Sequence, residues 1–136
     1  MSAPHPLSKL ESLALVAVGG FVGANARYLV GVFVPDAPGT LVVNVLGSIA
    51  LGFLLTEATH SGYLAAETRV VLGSGFLSSF TTYSTFAVET ALLGSPVWML
   101  ANVTLSYALG FAGAVVGAHA ARALDAGRGE NHGRSV

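Results

Sequence analysis

Hydrophobic residues in this chain fall in long runs, and the polar positions inside those runs recur at helical spacing. Four apolar segments stand out, each bounded by chain breakers. The first covers about 13–34 and stops at Pro35-Asp36-Ala37-Pro38-Gly39, a loop too rich in proline to continue a helix. The second covers about 40–56 and is followed by the polar stretch 57–69. The third covers about 70–93, and the fourth, 96–121, begins after the Gly94-Ser95 turn. Each is near the ~20 apolar residues that a bilayer-spanning helix needs. The pattern predicts an all-α membrane protein with four transmembrane helices in one domain, residues 1–121. Residues 122–136, with Gly127, Gly129 and Gly133 among charges, read as a polar, disordered tail.

Composition points the same way. The chain is 53% hydrophobic and 10% charged, against about a quarter charged in soluble domains, which argues against a soluble enzyme. Between Val70 and Ala121 the single charge is Glu89. Six Lys plus Arg at a net charge of −1 give no basic patch for nucleic acid. The absence of cysteine excludes disulfides, thiolate catalysis and Cys-ligated metals. His5, His60, His119 and His132 lie at the termini or near span ends, with no pairing that suggests a metal or an enzymatic site.

Residues 1–26 have the outline of a signal peptide: Lys9, an apolar run, then Ala24-Asn25-Ala26. The apolar run resumes after Arg27 and reaches Val34, however, so the segment is read as a retained span. Four spans place both termini and the 57–69 stretch on one side, with Lys9, Arg69, Arg122, Arg128 and Arg134. The opposite loops carry no Lys or Arg; counting Arg27 against the bias makes it five to one. The positive-inside rule then predicts a multi-pass protein of the cell membrane with cytoplasmic N- and C-termini.

Polar groups inside a span are costly and normally face the bundle interior or a water-filled cavity. Thr40, Asn44 and Ser48 share one helical face in the second span, and Asn102, Ser106 and Gly110 share one in the fourth. Gly19-x-x-x-Gly23 and Gly113-x-x-x-Gly117 are small-residue pairs that let helices approach closely. Asn44 is harder to explain by packing, since a mid-span amide has up to four hydrogen-bonding sites to satisfy.

The third span contains Gly73 and Gly75 and then six Ser or Thr residues between Ser78 and Thr85. Such residues compete for backbone hydrogen bonds, so a helix broken mid-membrane is expected; a continuous helix packing through its hydroxyls is the alternative. Freed carbonyls at a break can coordinate a cation. After it, Tyr83, Phe86 and Thr90 share a face with Glu89 beside them. The two rings serve either as core packing or, through their positive edges, as contacts for a small anion. Arg27 either snorkels and pairs with carbonyls or attracts an anion.

Three stretches together resemble the Fluc (CrcB) family of small fluoride channels. They are Gly19-Gly-Phe-Val-Gly-Ala-Asn-Ala-Arg-Tyr28, Gly39-Thr-Leu-Val-Val-Asn-Val-Leu-Gly-Ser48, and Thr81-Thr-Tyr-Ser-Thr-Phe86 followed by Glu89. The resemblance implies a fluoride-specific channel that lowers cytoplasmic fluoride by passive efflux, built as an antiparallel dimer with a structural sodium ion at its centre. It implies a fluoride pathway through Asn44, Tyr83, Phe86 and Ser106, with Thr40, Ser84 and Glu89 alongside, and sodium held by the backbone carbonyls of Ser78 and Thr81. The family usually has Gly-Gly where this chain has Ser78-Ser79, and commonly Phe where it has Tyr83. Serine can replace glycine at a carbonyl ligand only if the backbone there is not left-handed.

An antiparallel homodimer needs one sequence to insert both ways, which the five-to-one bias opposes. Pairing with a paralogous subunit of opposite orientation is therefore expected over self-pairing. Two other functions are carried alongside: a non-conducting or partly conducting subunit of a heterodimeric channel, and a small proton-coupled multidrug exporter. Such exporters need an embedded carboxylate, typically in the first span, whereas here the buried acid is Glu89 in the third.

Overall fold

The computed structural model describes residues 6–60 and 62–132, which are helical throughout apart from short connections. The order is α1 (Pro6–Phe33), α2 (Asp36–His60), α3 (Ala66–Arg69), a π-helical stretch (Val70–Leu77), α4 (Ser78–Phe80), α5 (Tyr83–Leu92) and α6 (Pro96–His132). Among the described residues, three helical segments are long and apolar enough to cross a membrane: Lys9–Phe33, Asp36–His60 and Pro96–Gly127. Between α2 and α6 no single helix reaches that length, because the backbone is extended at Thr81 (φ −80°, ψ 160°) and Thr82 (φ −151°, ψ 126°).

Helix ends differ from the apolar boundaries for local reasons. Proline needs no N–H in the first turn, so Pro6 can open α1 and Pro38 sits inside the first turn of α2. The expected loop at Pro35–Gly39 thus shrinks to Val34 and Pro35, with Asp36 taking φ 62° as the chain turns. Gly39 is required there, since a Cβ would strike the Val34 carbonyl. The fourth helix does not stop near Ala121 but continues to His132, over part of the segment expected to be a disordered tail. Ala120, Ala121, Ala123 and Leu124 are among the strongest helix formers, and Tyr63 Oη ties the extension down by donating to Asp125 Oδ1 at 3.0 Å. Residues 133–136 of that expected tail lie outside the described residues.

Two seams hold the helices together. In the first, α1 lies on the π-helical stretch and α4. There Gly19 and Gly23 face the carbonyls of Val71 and Phe76, and Gly75 faces the Val16 carbonyl. In the second, α2 runs along α6, with Gly117 against the Ile49 carbonyl and Gly52 against the Ala114 carbonyl. A side chain at these positions would collide with backbone. Both glycine pairs therefore act as close-packing surfaces, as dispersion-driven helix contacts in lipid require. Val43, Leu77, Phe80 and Phe86 form the buried core, while Phe21, Phe33, Trp98 and Phe111 stand largely exposed, as a lipid-facing surface would.

Candidate functional site

The extended pair Thr81-Thr82 is held from another helix. Asn44, on α2, donates its Nδ2 to the Thr82 carbonyl and accepts the Thr82 N–H on Oδ1, each at 2.9 Å. Its amide thus behaves as a second peptide group, pairing with one residue whose N–H no longer bonds within a helix. Thr82 then caps α5, its Oγ1 accepting the Thr85 N–H at 3.2 Å and donating to Thr85 Oγ1 at 3.0 Å.

These bonds release two carbonyls. In an unbroken helix the Thr82 N–H would bond the Ser78 carbonyl, and the Thr85 N–H that of Thr81. Here the first goes to Asn44 and the second to Thr82 Oγ1. Ser78 and Thr81 line a cavity of about 360 Å³ with Gly47, Ser48 and Leu77. Neutral carbonyl oxygens of this kind suit a hard monovalent or divalent cation. Ser78 has φ −61° and ψ −30°, ordinary right-handed values, so nothing at this position requires glycine.

Asn44 also faces a groove of about 350 Å³ between α2, α5 and α6, lined by Ser48, Tyr83, Phe86, Ser106 and Tyr107. Phe86 is buried at its floor, and Tyr83 is 73% exposed at its lip. The Phe86 ring lies 5.9 Å from Tyr83, tilted by 46°, and 6.4 Å from Tyr107 at 85°, an edge-to-face pair. The Ser106 Oγ is buried with no hydrogen-bond partner. A hydroxyl in that state offers a donor to whatever enters. Ser48 is different, because its Oγ donates to the Asn44 carbonyl at 2.8 Å.

A second polar cavity, about 300 Å³, lies on the other side of Thr82 between α1, α2 and α5. Arg27, Thr40, Thr85 and Glu89 line it together. Arg27 and Glu89 form no ion pair with each other, and Glu89 keeps one buried carboxylate oxygen without a partner. Ser84 stays outside both spaces, exposed, with Thr82 Oγ1 3.5 Å away.

The structure therefore brings Asn44, Tyr83, Phe86 and Ser106 to one groove, gathers Arg27, Thr40 and Glu89 in another, and leaves Ser84 apart. Two contributors escaped the sequence reading. Thr82 was visible only as one hydroxyl in a run, though its spacing to Thr85 is that of a helix cap. Tyr107 carries no signal of its own, since an aromatic on an apolar helix is ordinary.

Long apolar helices joined by glycine seams, with polar grooves between them, define a multi-pass membrane protein built to pass or hold a small solute. Residues 14–118 match the family described as CrcB-like protein, Camphor Resistance (CrcB), and the chain belongs to that family. It is 55% identical over 130 residues to the Fluoride-specific ion channel FluC 1 of Haloarcula marismortui, covering 96% of this chain and 100% of that protein. It is 56% identical over 108 residues to the Fluoride-specific ion channel FluC 2 of Halobacterium salinarum, covering 79% and 84%. Against the Fluoride-specific ion channel FluC of Roseiflexus sp. it is 39% identical over 122 residues, covering 83% and 98%. These relatives are named as ion channels, not enzymes.

Proposed function

We propose that this chain is a subunit of a fluoride channel that lets fluoride leave the cytoplasm passively. The observation that carries the reading is the groove between α2, α5 and α6, lined by the buried, unpartnered Ser106 hydroxyl together with the Phe86–Tyr107 ring pair. Fluoride is small and strongly hydrated, so a pathway must replace its water with donors while holding it loosely enough to release it. Ser106 supplies an O–H, Asn44 a second Nδ2 hydrogen not used by Thr82, and the rings their positive edges. Carboxylates are absent from this groove's lining, and none repels the ion there.

In this reading α3, the π-helical stretch, α4 and α5 together make a fourth crossing, interrupted at Thr81-Thr82. The released carbonyls of Ser78 and Thr81 are the groups that would hold a sodium ion, whose charge would satisfy oxygens left without a helical partner. Ser78 is exposed beside this cavity, which suits a site shared between two antiparallel subunits. The five-to-one distribution of Lys and Arg supports one insertion direction, with cytoplasmic termini, and a paralogous partner inserted the other way.

Fluoride efflux from liposomes, with chloride as control, tests the function. Fast fluoride efflux with little chloride efflux is expected, for this chain with its paralogue. Chloride leaving as fast as fluoride overturns the reading. An antiparallel, conducting dimer formed by this chain alone overturns the unlike partner but not the channel.

A further inference from the structure

The helices α5 and α6 meet at a tight hairpin, residues 93–95, and then part to make the groove. Between the turn and the groove one polar tie joins them: Asn102 Nδ2 donates to Thr90 Oγ1 at 2.7 Å. The Thr90 hydroxyl is itself oriented, donating to the Phe86 carbonyl at 2.6 Å. The spacing is regular on both sides. Phe86 lies four residues before Thr90, and Ser106 four residues after Asn102, so the tie sits one turn, about 6 Å, on the hairpin side of the groove. Contact between α5 and α6 is otherwise sparse. The next contact along is the Phe86–Tyr107 edge-to-face pair inside the groove.

We propose that Asn102 and Thr90 are positioning residues that set the width of the groove, holding Phe86 at a fixed distance from Ser106 and Tyr107. The inference rests on the fluoride-channel reading for its functional consequence but not for its geometry. An asparagine with its amide in an apolar bundle seeks a partner, and the threonine hydroxyl that meets it has its rotamer fixed by the Phe86 carbonyl. The result is a rigid strut where van der Waals contact alone would let the hairpin open. A wider groove would admit chloride, which is larger and less strongly hydrated, and would loosen the donors around fluoride.

The test uses Thr90→Val, which keeps the shape and removes the hydroxyl, Thr90→Ser, which keeps the hydroxyl, Asn102→Leu, and the Thr90→Val/Asn102→Leu pair. The readout is the ratio of fluoride to chloride efflux per liposome, which a mere loss of folded protein does not move. Thr90→Val and Asn102→Leu should each lower the ratio by about three- to tenfold, the range that the worth of one such bond allows. The double variant should fall no further than either single, and Thr90→Ser should keep the original ratio. Singles that add in the double, or an unchanged ratio with reduced total efflux, overturn the proposal.

A second measurement needs no transport. The chain has no cysteine, so spin labels at Val88→Cys and Leu105→Cys report the α5–α6 separation in lipid. The distance should widen in Thr90→Val and stay unchanged in Thr90→Ser. An unchanged distance in Thr90→Val overturns the strut even if the chain moves no fluoride, and absence of fluoride transport with a widened distance overturns only the function.

Discussion

The two sides of α6 are built on opposite principles. Toward α2, Gly117 and Gly52 bring backbones into contact, so that neither a side chain nor a solute fits between the helices. Toward α5, the helices touch through the Asn102–Thr90 hydrogen bond and the Phe86–Tyr107 ring pair, and a groove opens beyond them. One helix thus presents small residues where rigidity is needed and polar or aromatic residues where space is needed. The difference explains how so short a chain carries a site: the dry seam fixes α2 and α6 as a frame, and the loosely packed α5 is held against it by asparagines. Asn44 fastens its N-terminal end and Asn102 its C-terminal half.

Removing the N-terminal fastening should do the most damage. In Asn44→Leu the buried Thr82 N–H loses its partner, while the Thr82 carbonyl, as the cap of α5, loses one of two donors; a buried unsatisfied polar group costs about 1–3 kcal/mol. The orphaned N–H and the weakened carbonyl together should lower the unfolding temperature in detergent more than the substitutions that follow, and fluoride efflux should vanish. Asn44→Asp, which keeps the acceptor for the Thr82 N–H, should fall between it and the unmodified chain. Equal stability of Asn44→Leu and the parent would mean that α5 does not depend on this clasp.

The dry seam breaks differently. Gly117→Ala drives a methyl group into the Ile49 carbonyl, and overpacking of this kind costs about 1–3 kcal/mol. Gly110→Ala is the control, because its methyl group would meet only the Ser48 hydroxyl at an ordinary 3.5 Å. Thermal unfolding should separate the two variants clearly. Similar losses in both would show that α2 and α6 are not in close contact in the membrane.

The glycine pairs were legible in the sequence because a small-x-x-x-small spacing declares its purpose locally. Which surface each pair meets was not, since Gly23 finds Phe76 and Gly117 finds Ile49 through the order of the helices, which periodicity within one helix does not encode. The run of hydroxyls from Ser78 to Thr85 marked a stretch unfavourable to helix. It did not say that Thr81 and Thr82 are the residues that leave it; that choice is made by Asn44, 38 residues away from Thr82. Likewise the amide of Asn44 announced a need for partners, while the partner, a bare peptide group, leaves no trace in residue identities. The course of α6 past Ala121 is obscured by charge and glycine content, although the alanines decide the helix.

At its far end the α2–α6 frame carries an ionic fastening. Glu57 is buried, accepts the Leu64 N–H at 2.7 Å, and pairs with Arg69 Nε at 3.1 Å. Glu57→Gln keeps the neutral bond to Leu64 and loses the charge pairing with a partly exposed arginine, so it should lower the unfolding temperature only slightly. The loss should shrink as salt is raised, because screening weakens the pairing in the parent as well. A variant as stable as the parent at low salt would mean that the Leu64 bond alone holds this turn.

The smallest effect on stability should come from a residue of the proposed pathway itself. The Ser106 hydroxyl is buried without a partner, so Ser106→Ala removes no hydrogen bond, and replacing an unsatisfied polar group by an apolar one is near neutral or stabilising. Unfolding should shift by less than about 0.5 kcal/mol. Fluoride efflux, by contrast, should slow tenfold or more if that hydroxyl replaces one water of a passing ion, the worth of a hydrogen bond to a charged group being about 1.5–3 kcal/mol, roughly ten- to a hundredfold. Stability and transport would then part company at one atom on the open side of α6, whereas at Gly117, on its dry side, they should fall together. Unchanged efflux in Ser106→Ala would move the path out of this groove.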